Sequence, residues 1–368
     1  MQRFLGKLLA TATLATGLFA VAIAEDLPQS TKSESPTPAN SKAVRRAAPV
    51  RTGETRFGWK WLASRYDKDE TGEVTKERFP ESAQVFARLD RNWDGRLTPQ
   101  DFDWSETGVL GRQKETTFAL FKSIDQNSDG RISAEEWQSV FAKTVQEKGF
   151  LNDQDLLQLI HLPGVQKAER QSRSKGLESF LEKQSRLPKP PGLGEIAPDF
   201  SLASPDGLKK VKLSSFQKKK PVVLIFGNYS CGNYRTYTES LDEMYRQWKG
   251  EVEFVTVYVR EAHPADDRPA TPTNETAGIL IKQPVTFDER CSVAKQCVAT
   301  LHLQTPLVVD EIDNRVGQAY AAEPDRLYVI DMDGRIAFRG GPGPFGFNPA
   351  EMEQSLLLLL HEQNMAKR

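Results

Sequence analysis

Hydrophobic and polar positions follow two different patterns along this chain. Between residues 56 and 163, short segments with apolar residues at helical spacing alternate with acidic loops that have a glycine near their centre. After Gly194, runs of consecutive apolar residues alternate with helical segments. This order predicts a multidomain protein, in which an all-α module at residues 56–163 precedes an α/β domain at residues 193–368.

The second pattern is detailed enough to predict individual elements. Leu241, Met244, Tyr245 and Trp248 recur at the spacing of one helix face. The segment DMDGRIAF indicates a strand, a tight turn and a second strand. The C-terminal run SLLLLLHEQ is too short to span a membrane and predicts a packed terminal helix. Four apolar runs are candidates for buried strands, namely residues 222–226, 252–259, 306–310 and 326–331.

The N-terminal segment carries a different signal. Arg3 and Lys7 precede a short apolar stretch that ends in small residues at Ala24. This order predicts a secretory signal peptide at residues 1–24 with cleavage near Ala24, and hence a protein exported to the periplasm or the extracellular space. An uncleaved membrane anchor is the alternative. No internal segment is apolar enough to span a membrane, so no further membrane association is expected.

Two polar segments lie outside the predicted domains. Residues 25–55 are rich in Ser, Thr, Pro, Ala and Lys and predict a disordered tether, because they offer little apolar surface to bury. Residues 164–192 are strongly charged as far as the sequence LPKPPGLG, and they predict an exposed helical linker that the prolines end. The whole chain has 49 basic and 50 acidic side chains, so no nucleic-acid partner is expected.

A twelve-residue pattern of oxygen-bearing side chains occurs at residues 125–136. Carboxylate and amide oxygens stand at loop positions one, three and five, Gly130 follows, and a backbone carbonyl is available at position seven. This is the ligand spacing of an EF-hand, so it predicts a Ca²⁺ site closed by a bidentate glutamate. The predicted ligands are Asp125, Asn127, Asp129, Arg131, Ser133 and Glu136.

A second loop, at residues 90–101, has the same spacing. It ends in an aspartate, which is shorter than glutamate and less able to bind a large ion with both oxygens, so we expect weaker Ca²⁺ binding. From the distance between the two loops we expect them to pair with each other. The predicted ligands are Asp90, Asn92, Asp94, Arg96, Thr98 and Asp101.

Two degenerate copies of the same loop flank this pair. Residues 67–78 keep two acidic ligands but have Arg78 where a carboxylate should close the site. Residues 144–155 keep the glycine and the final aspartate but have lost the first ligands. Both loops are expected to pack without binding metal. The resemblance to EF-hand proteins covers residues 60–160.

The three cysteines are an odd number, so at least one is free or pairs with another molecule. Cys291 and Cys297 lie six residues apart in a predicted helix, where they point to different faces and are too distant to bridge. Any internal disulfide would therefore involve Cys231. We expect Cys291 and Cys297 to be core residues and not resolving thiols.

Cys231 lies in the segment FGNYSCGNYR, between a predicted buried strand and a predicted helix. Helix dipole and free backbone N–H groups at such a position lower a thiol pKa, so we expect a reactive thiolate. Tyr234 stands where a second cysteine of a CxxC motif would be, which favours chemistry with one thiol. The alternative is a buried residue at a strand end. Pro324, before a later strand, is the candidate for a cis-proline beside this cysteine, as in thioredoxin folds.

Three segments are together similar to the iodothyronine deiodinase family and its bacterial relatives: FGNYSCGNYR, VYVREAHPADDR and PLVVDEIDNRVGQAYAAEPDRLYVIDMDG. The resemblance spans residues 190–362 and implies a thioredoxin-like fold. It also implies that Cys231, where vertebrate members have selenocysteine, is the nucleophile. Glu261 and His263 match the family's Glu-Ala-His-Pro motif, which implies that His263 donates a proton or orients the substrate. Pro324, Asp325 and Arg326 match its Pro-Glu-Arg-Leu-Tyr motif.

The chain departs from the family at several of these positions. Cysteine replaces selenocysteine, Gly232 replaces a proline, Asp325 replaces a glutamate and Thr305 replaces a cysteine. These differences favour a broader class of reaction than iodothyronine deiodination. We therefore expect a Ca²⁺-binding, thiol-dependent oxidoreductase that acts on a halogenated, peroxidic or disulfide substrate and is restored by an external thiol reductant. The alternative is a calcium-binding interaction protein without enzymatic activity.

Overall fold

A mixed β-sheet forms the centre of the protein in the computed structural model, which describes residues 52–105, 108–145, 148–160, 188–266 and 271–366. Within these residues the sheet has eight strands in the order β1-β10-β9-β6-β7-β8-β4-β5, and β2 and β3 form a separate pair. The strands are β1 (Glu54–Thr55), β2 (Val74–Thr75), β3 (Arg96–Leu97), β4 (Ser201–Ala203), β5 (Lys210–Lys212), β6 (Val222–Gly227), β7 (Glu253–Tyr258), β8 (Leu307–Val309), β9 (Arg326–Ile330) and β10 (Ile336–Arg339).

The helices follow the predicted patterns closely. The predicted apolar face of the helix after Cys231 is confirmed, because Leu241 and Met244 are buried in α6 (Gly232–Trp248). The helices are α1 (Trp59–Tyr66), α2 (Ala83–Leu89), α3 (Val109–Ile124), α4 (Ala134–Val145), α5 (Asp153–Ile160), α6 (Gly232–Trp248), α7 (Pro272–Thr276), α8 (Phe287–Leu301), α9 (Arg315–Ala319) and α10 (Pro349–Ala366). Short 3₁₀ turns lie at Pro99–Phe102 and Leu213–Phe216.

The strand directions give the sheet a thioredoxin-like arrangement. β6, β7 and β8 are parallel neighbours, as strands joined by helical crossovers must be. β9 then pairs antiparallel with β6, and β10 pairs antiparallel with β9. All residues of β6 are buried, which explains its continuous apolar sequence. The fold class predicted from sequence, an EF-hand region followed by a thioredoxin-like α/β domain, is confirmed.

The predicted pairing of the two intact calcium-type loops is wrong. Val74 pairs with Leu97 in an antiparallel contact between β2 and β3, so loop 90–101 pairs with the degenerate loop 67–78. Val74 and Leu97 hold the same loop position, and both are fully buried. The degenerate loop has lost its closing carboxylate but has kept the apolar residue, Val74. Pairing depends on the apolar residue and not on the carboxylate.

The EF-hand region and the sheet share one hydrophobic core. Apolar residues of the first loop pair, including Leu62 and Phe79, belong to the same buried cluster as Leu356 of α10. Polar contacts reinforce this packing: Tyr66 and Glu81 both bond to the ring of His361, which is 2% exposed. All the residues that the structure describes accordingly belong to one compact unit.

Several predictions about the termini and linkers fall outside the described residues. The signal peptide at residues 1–24, most of the tether and most of the linker at residues 164–192 are among them. The end of the predicted tether is an exception, because Glu54 and Thr55 form β1 and pair with β10. The described helices include none with the length and apolar character needed to cross a membrane.

Candidate active site

Cys231 lies at the junction between the central strand and the long helix. β6 ends at Gly227, and Cys231 is the residue immediately before the first turn of α6. A side chain at position 227 would place its Cβ 2.3 Å from Cδ2 of Tyr234, so glycine is required there. The sequence therefore delivers the thiol to the turn between strand and helix, as predicted.

The carboxyl group of Asp325 faces the thiol. Sγ of Cys231 donates a hydrogen bond of 3.5 Å to Oδ2 of Asp325, and Nδ2 of Asn233 donates one of 2.5 Å to the same oxygen. Asp325 is fully buried. Burial raises the pKa of this carboxyl to about 6, although the hydrogen bonds from Asn233 and Cys231 act in the opposite direction. Asp325 is thus an acid–base group within reach of the thiol proton.

The expected lowering of the thiol pKa is not found in this structure. Burial raises the pKa of Cys231 well above its usual value, and the negative charge of Asp325 adds to this effect. Cys231 is only 3% exposed, so loss of hydration opposes the thiolate more strongly than the helix N-terminus favours it. The thiol is held in its protonated form, with a proton acceptor beside it.

Glu261 forms a hydrogen bond to the loop between β6 and α6, residues 228–231, called here the cysteine loop. Its carboxylate accepts a 2.8 Å hydrogen bond from the backbone N–H of Ser230 and another from the hydroxyl of Tyr258. Tyr258 in turn accepts a bond from the backbone N–H of Tyr229. Burial raises the pKa of Glu261. The predicted residue Glu261 thus positions the segment that leads to Cys231.

The segment of His263 is tied to the same loop. The backbone N–H of His263 donates a 3.0 Å bond to Oγ of Ser230, next to Cys231 in sequence. The side chain of His263 is half-buried. The structure therefore brings the Glu-Ala-His-Pro segment to the thiol loop, while the group hydrogen-bonded to the thiol itself is Asp325.

Asn228 joins the three segments that the sequence predicted to meet. Its Nδ2 donates to the carbonyl of Pro324, and its Oδ1 accepts from the N–H of Ala262 and from the hydroxyl of Ser230. The peptide bond before Pro324 is cis, as predicted. Arg326 is also buried, and it donates to the carbonyl of Tyr320.

Several important residues were not predicted from the sequence. They are polar side chains that hold the cysteine loop through hydrogen bonds, and most lie within five residues of Cys231. The polar character of GNYSCGN, directly after an apolar strand, was the available signal. These residues are Asn228, Ser230, Asn233, Arg235 and Asn274.

The loop at residues 125–136 forms a network of hydrogen bonds from backbone N–H groups to its carboxylates, around the turn at Gly130. Asp125 accepts bonds from the N–H groups of Asp129 and Gly130, and Gly130 adopts a φ of 85°, which favours glycine. Glu136 accepts bonds from the N–H groups of Gln126 and Ser133. Burial, with added repulsion from Asp129 and Glu136, raises the pKa of Asp125 to about 6. A divalent cation would relieve that repulsion, and the oxygen donors match the preference of Ca²⁺.

The loop at residues 90–101 is similar. Asp90 accepts from the N–H of Gly95, and Asp101 accepts from the N–H groups of Arg91 and Thr98. Among the residues that the structure describes, no three His, Cys, Asp or Glu side chains converge closely enough to hold a metal ion. The carboxylates in both loops instead bond to backbone N–H groups.

The degenerate loops each carry an internal cation. In loop 67–78, the guanidinium of Arg78 donates two bonds to Asp69, at 2.5 and 2.7 Å. In loop 144–155, the ammonium group of Lys148 bonds to Asp155. A basic side chain thus lies against a carboxylate that would otherwise be available to a metal, and the absence of metal binding by these loops stays a prediction.

None of the three cysteines forms a disulfide. Cys291 and Cys297 lie in α8 and are both buried, with exposures of 8% and 0%. Burial raises the pKa of both thiols. Their position in the core agrees with the prediction from sequence.

Comparison with known families gives two matches. A model described as "Iodothyronine deiodinase" matches residues 165–359, and a model described as "EF hand" matches residues 119–142. The first therefore contains the Cys231 site, and the second contains the loop at residues 125–136.

Individual relatives are of the same kind. The type II iodothyronine deiodinase of Petromyzon marinus is 32% identical over 139 residues, which are 37% of this chain and 46% of that protein. The type II enzyme of Sus scrofa is 27% identical over 165 residues, or 44% of this chain and 59% of that protein. The thyroxine 5-deiodinase of Homo sapiens is 29% identical over 163 residues, or 43% and 51%. The chain thus spans about half the length of these relatives.

Similar solved structures include two thiol oxidoreductases. One is the thioredoxin domain of a thiol-disulfide oxidoreductase from Bacteroides vulgatus, with 17% identity, a TM-score of 0.31, and coverage of 47% of this chain and 97% of that one. The other is a secreted disulfide oxidoreductase of Mycobacterium tuberculosis, with 16% identity, a TM-score of 0.31, and coverage of 43% and 93%.

Proposed function

The chain belongs to the iodothyronine deiodinase family, and from that premise we propose that it is an exported, calcium-binding thiol oxidoreductase in which Cys231 is the nucleophile. One observation carries the proposal. Cys231 lies at the start of α6, and its thiol donates a hydrogen bond to the buried carboxylate of Asp325. A nucleophile beside a base with a pKa near neutrality is the arrangement that activates a weak acid such as a thiol.

The first half-reaction begins with transfer of the thiol proton to Asp325. The thiolate then attacks an electron-poor atom X of the substrate R–X, where X is a halogen, a peroxide oxygen or a disulfide sulfur. The S–X bond forms, the R–X bond breaks, and the electron pair leaves with R. Asp325 returns its proton to R, which departs as R–H. The substrate has gained two electrons, and the sulfur of Cys231 has lost two.

The second half-reaction requires external thiols. Tyr234 occupies the place of a second cysteine, and the other two cysteines are buried in α8. A first thiol reacts with Cys231–S–X, releases X as an anion or as HX, and leaves a mixed disulfide. A second thiol breaks this disulfide, which regenerates the Cys231 thiol and releases the oxidised reductant. A thiol reductant is therefore the proposed partner, and the substrate is a small molecule or a protein with such an X–R bond.

Calcium binding at the loop of residues 125–136 is part of the proposal. The loop supplies three carboxylates, and their mutual repulsion contributes to the raised pKa of Asp125. Its carboxylate, amide, hydroxyl and carbonyl oxygens are the ligands that Ca²⁺ prefers. When bound there, Ca²⁺ neutralises the carboxylates and fixes the loop. The loop at residues 90–101, with aspartate at its last position, is proposed as a weaker site.

A second function is favoured by one observation. Cys231 is 3% exposed and has a raised pKa, which is unusual for a nucleophile. A calcium-binding interaction protein with an unreactive thioredoxin-like scaffold would have no need of an accessible thiol. The two functions differ in whether chemistry depends on Cys231.

The test is an activity screen of the full chain. The reduced protein is mixed with hydrogen peroxide, an aromatic disulfide or an iodinated phenol, with dithiothreitol as reductant, and product is followed by chromatography. Turnover of at least one substrate above the uncatalysed rate, absent in Cys231→Ser and retained in Cys291→Ser, supports the oxidoreductase. No turnover with any substrate class, together with measurable calcium binding, supports the interaction protein.

A further inference from the structure

The loop at residues 125–136 packs directly against α6, the helix that follows Cys231. The guanidinium Nε of Arg235, in α6, donates a 3.3 Å bond to the carbonyl of Ser128 within the loop. At the surface end of the same contact, Arg131 forms an ion pair of 2.7 Å with Glu239 of α6. The approach is close: a Cβ on Gly130 would lie 2.2 Å from the carbonyl oxygen of Arg235. The backbone of the loop is therefore in direct contact with the backbone of α6.

Arg235 also holds the cysteine loop. Its Nη1 donates a 2.7 Å bond to the carbonyl of Tyr229, and its Nη2 donates a 2.9 Å bond to Oδ1 of Asn274. Asn274 in turn donates to the carbonyl of Ser230, the residue before Cys231. One fully buried side chain thus connects the carbonyl of Ser128 with both residues that precede the thiol.

The charge of Arg235 interacts with the thiol site at Cys231 and with Asp125 of the calcium loop. All three hydrogen-bond acceptors of its guanidinium are neutral oxygens, and among the described residues no carboxylate forms an ion pair with it within 4.0 Å. Burying a cation without such a partner costs desolvation free energy. Its charge also interacts with other ionisable groups nearby. The charges of Cys231 and Asp125 both act on Arg235. In return, Arg235 opposes the effect of burial and Asp325, which raise the pKa of Cys231.

We propose that Arg235 is a positioning residue that couples the calcium loop at residues 125–136 to the thiol of Cys231. Ca²⁺ in the loop fixes the carbonyl of Ser128 and, through its hydrogen bond, the guanidinium of Arg235. The positive charge of Arg235 is then held close to Cys231, and the carbonyls of Tyr229 and Ser230 are held in place. Calcium therefore increases the reactivity of Cys231. This inference rests on the proposed function, because it assumes that the thiol reacts.

The experiment measures alkylation of Cys231 by iodoacetamide in the full chain, with mass spectrometry of the Cys231 peptide. Rates are compared at one pH in excess CaCl₂ and in excess chelator. We expect calcium to accelerate alkylation of the wild-type protein by at least about fivefold, the lower range of measured allosteric couplings. Glu136→Gln should lose this acceleration because it loses the metal.

The decisive variant is Arg235→Lys. Lysine keeps the positive charge but cannot donate the three hydrogen bonds to Ser128, Tyr229 and Asn274. This variant should still bind calcium, which a calorimetric titration detects. Its alkylation rates at Cys231 should be equal with calcium and with chelator. Arg56→Met, which removes an exposed ion pair with Asp331, is the matched control and should keep the full acceleration. A purely structural role of Arg235 would lower both rates together and leave their ratio unchanged.

Two results overturn the inference. They are an equal alkylation rate with calcium and chelator in a wild-type protein that binds calcium, and a full calcium effect in Arg235→Lys. If Arg235→Lys does not fold, hydrogen exchange of the wild-type segment 228–236 decides: calcium should slow it, and unchanged exchange refutes the coupling. Failure of the proposed function would give a different result: alkylation of Cys231 would depend on calcium, but the protein would show no turnover with any substrate.

Discussion

The thiol of Cys231 and the carboxylate of Asp325 form a hydrogen-bonded pair, with Sγ and Oδ2 3.5 Å apart. The negative charge of Asp325 opposes ionisation of the thiol, whereas the hydrogen bond that the thiol donates favours the ionised carboxylate. The proton therefore stays on the thiol of Cys231 and points at the carboxylate that can accept it. This pair explains how a thiol with a raised pKa can still lose its proton when a substrate arrives.

Replacing Asp325 by asparagine separates its two effects. Asp325→Asn removes a negative charge beside the thiol, so the pKa of Cys231 falls and alkylation by iodoacetamide at pH 8 should become about tenfold faster. Turnover should fall, because asparagine cannot accept and return the proton. The control is Asp333→Asn, at an exposed ion pair with Lys218. Alkylation that is slower in Asp325→Asn than in wild type would contradict the assigned role.

The position of the Asp325 carboxyl depends on a glycine in the segment before α10. A Cβ at residue 343 would lie 1.2 Å from Oδ1 of Asp325, so Gly343→Ala must displace this carboxyl. We expect a loss of about 1–3 kcal/mol in the free energy of unfolding, and a changed alkylation rate at Cys231. Gly250→Ala is the matched control, because a Cβ there meets no atom within 4 Å. Denaturant titration and alkylation of Cys231 are measured for both variants. Equal effects of Gly343→Ala and Gly250→Ala would refute the proposed contact.

The two intact loops should differ in calcium affinity. Isothermal calorimetry of the full chain should resolve a tighter site that Glu136→Gln abolishes and a weaker one that Asp101→Ala abolishes, since glutamate chelates with both oxygens and aspartate is too short. The full chain is required because the first loop pair shares its core with α10. Survival of the tighter site in Glu136→Gln would show that the loop at residues 125–136 is not the binding site.

Glu351 gives the stability of the protein a dependence on pH. Burial raises the pKa of this carboxyl to about 7, above its ordinary value, although the N–H of Gly53 donates a bond to it. The folded state therefore takes up a proton, so this contribution to stability is present at low pH and is lost as pH rises from about 4.5 to about 7. The predicted loss is about 3 kcal/mol.

Glu351→Gln keeps an acceptor for the N–H of Gly53 but cannot ionise. Denaturant titrations from pH 4.5 to 7.5 should show a weaker decline of stability with pH in this variant than in wild type. Glu251→Gln, at an exposed carboxylate, is the control and should follow the wild-type curve. Parallel curves for Glu351→Gln and wild type would mean that this carboxyl does not titrate in the predicted range.

The local features of this fold could be predicted from sequence because they depend on neighbouring residues. The apolar run before Gly227, the helical spacing of Leu241 and Met244, and the proline at residue 324 each have a local physical meaning. The shift of the Cys231 thiol pKa was predicted in the wrong direction, because it depends on residues that are distant in sequence. Cys231 is buried in the core, and its thiol faces Asp325, which is 94 residues away in sequence and whose position no local pattern records.

The pairing of the calcium-type loops shows the same limit. The sequence showed which loops have ligands, but pairing is decided by Val74 and Leu97, which carry no ligand. The contact between Arg235 and Ser128 was equally inaccessible, because an arginine on a helix is ordinarily exposed. Residues that act across domains have no periodicity of their own, so only the assembled structure reveals them.

The most direct test of the account is a single-turnover reaction with no added reductant. The fully reduced protein is mixed with an excess of the substrate identified by the activity screen, and product and the mass of the Cys231 peptide are measured together. If Cys231 is the nucleophile, product should equal the molar amount of protein, Cys231 alone should carry the oxidised sulfur, and added thiol should restore it. Equal product formation by Cys231→Ser, or oxidation confined to Cys291 or Cys297, would contradict the assignment of Cys231 as the nucleophile.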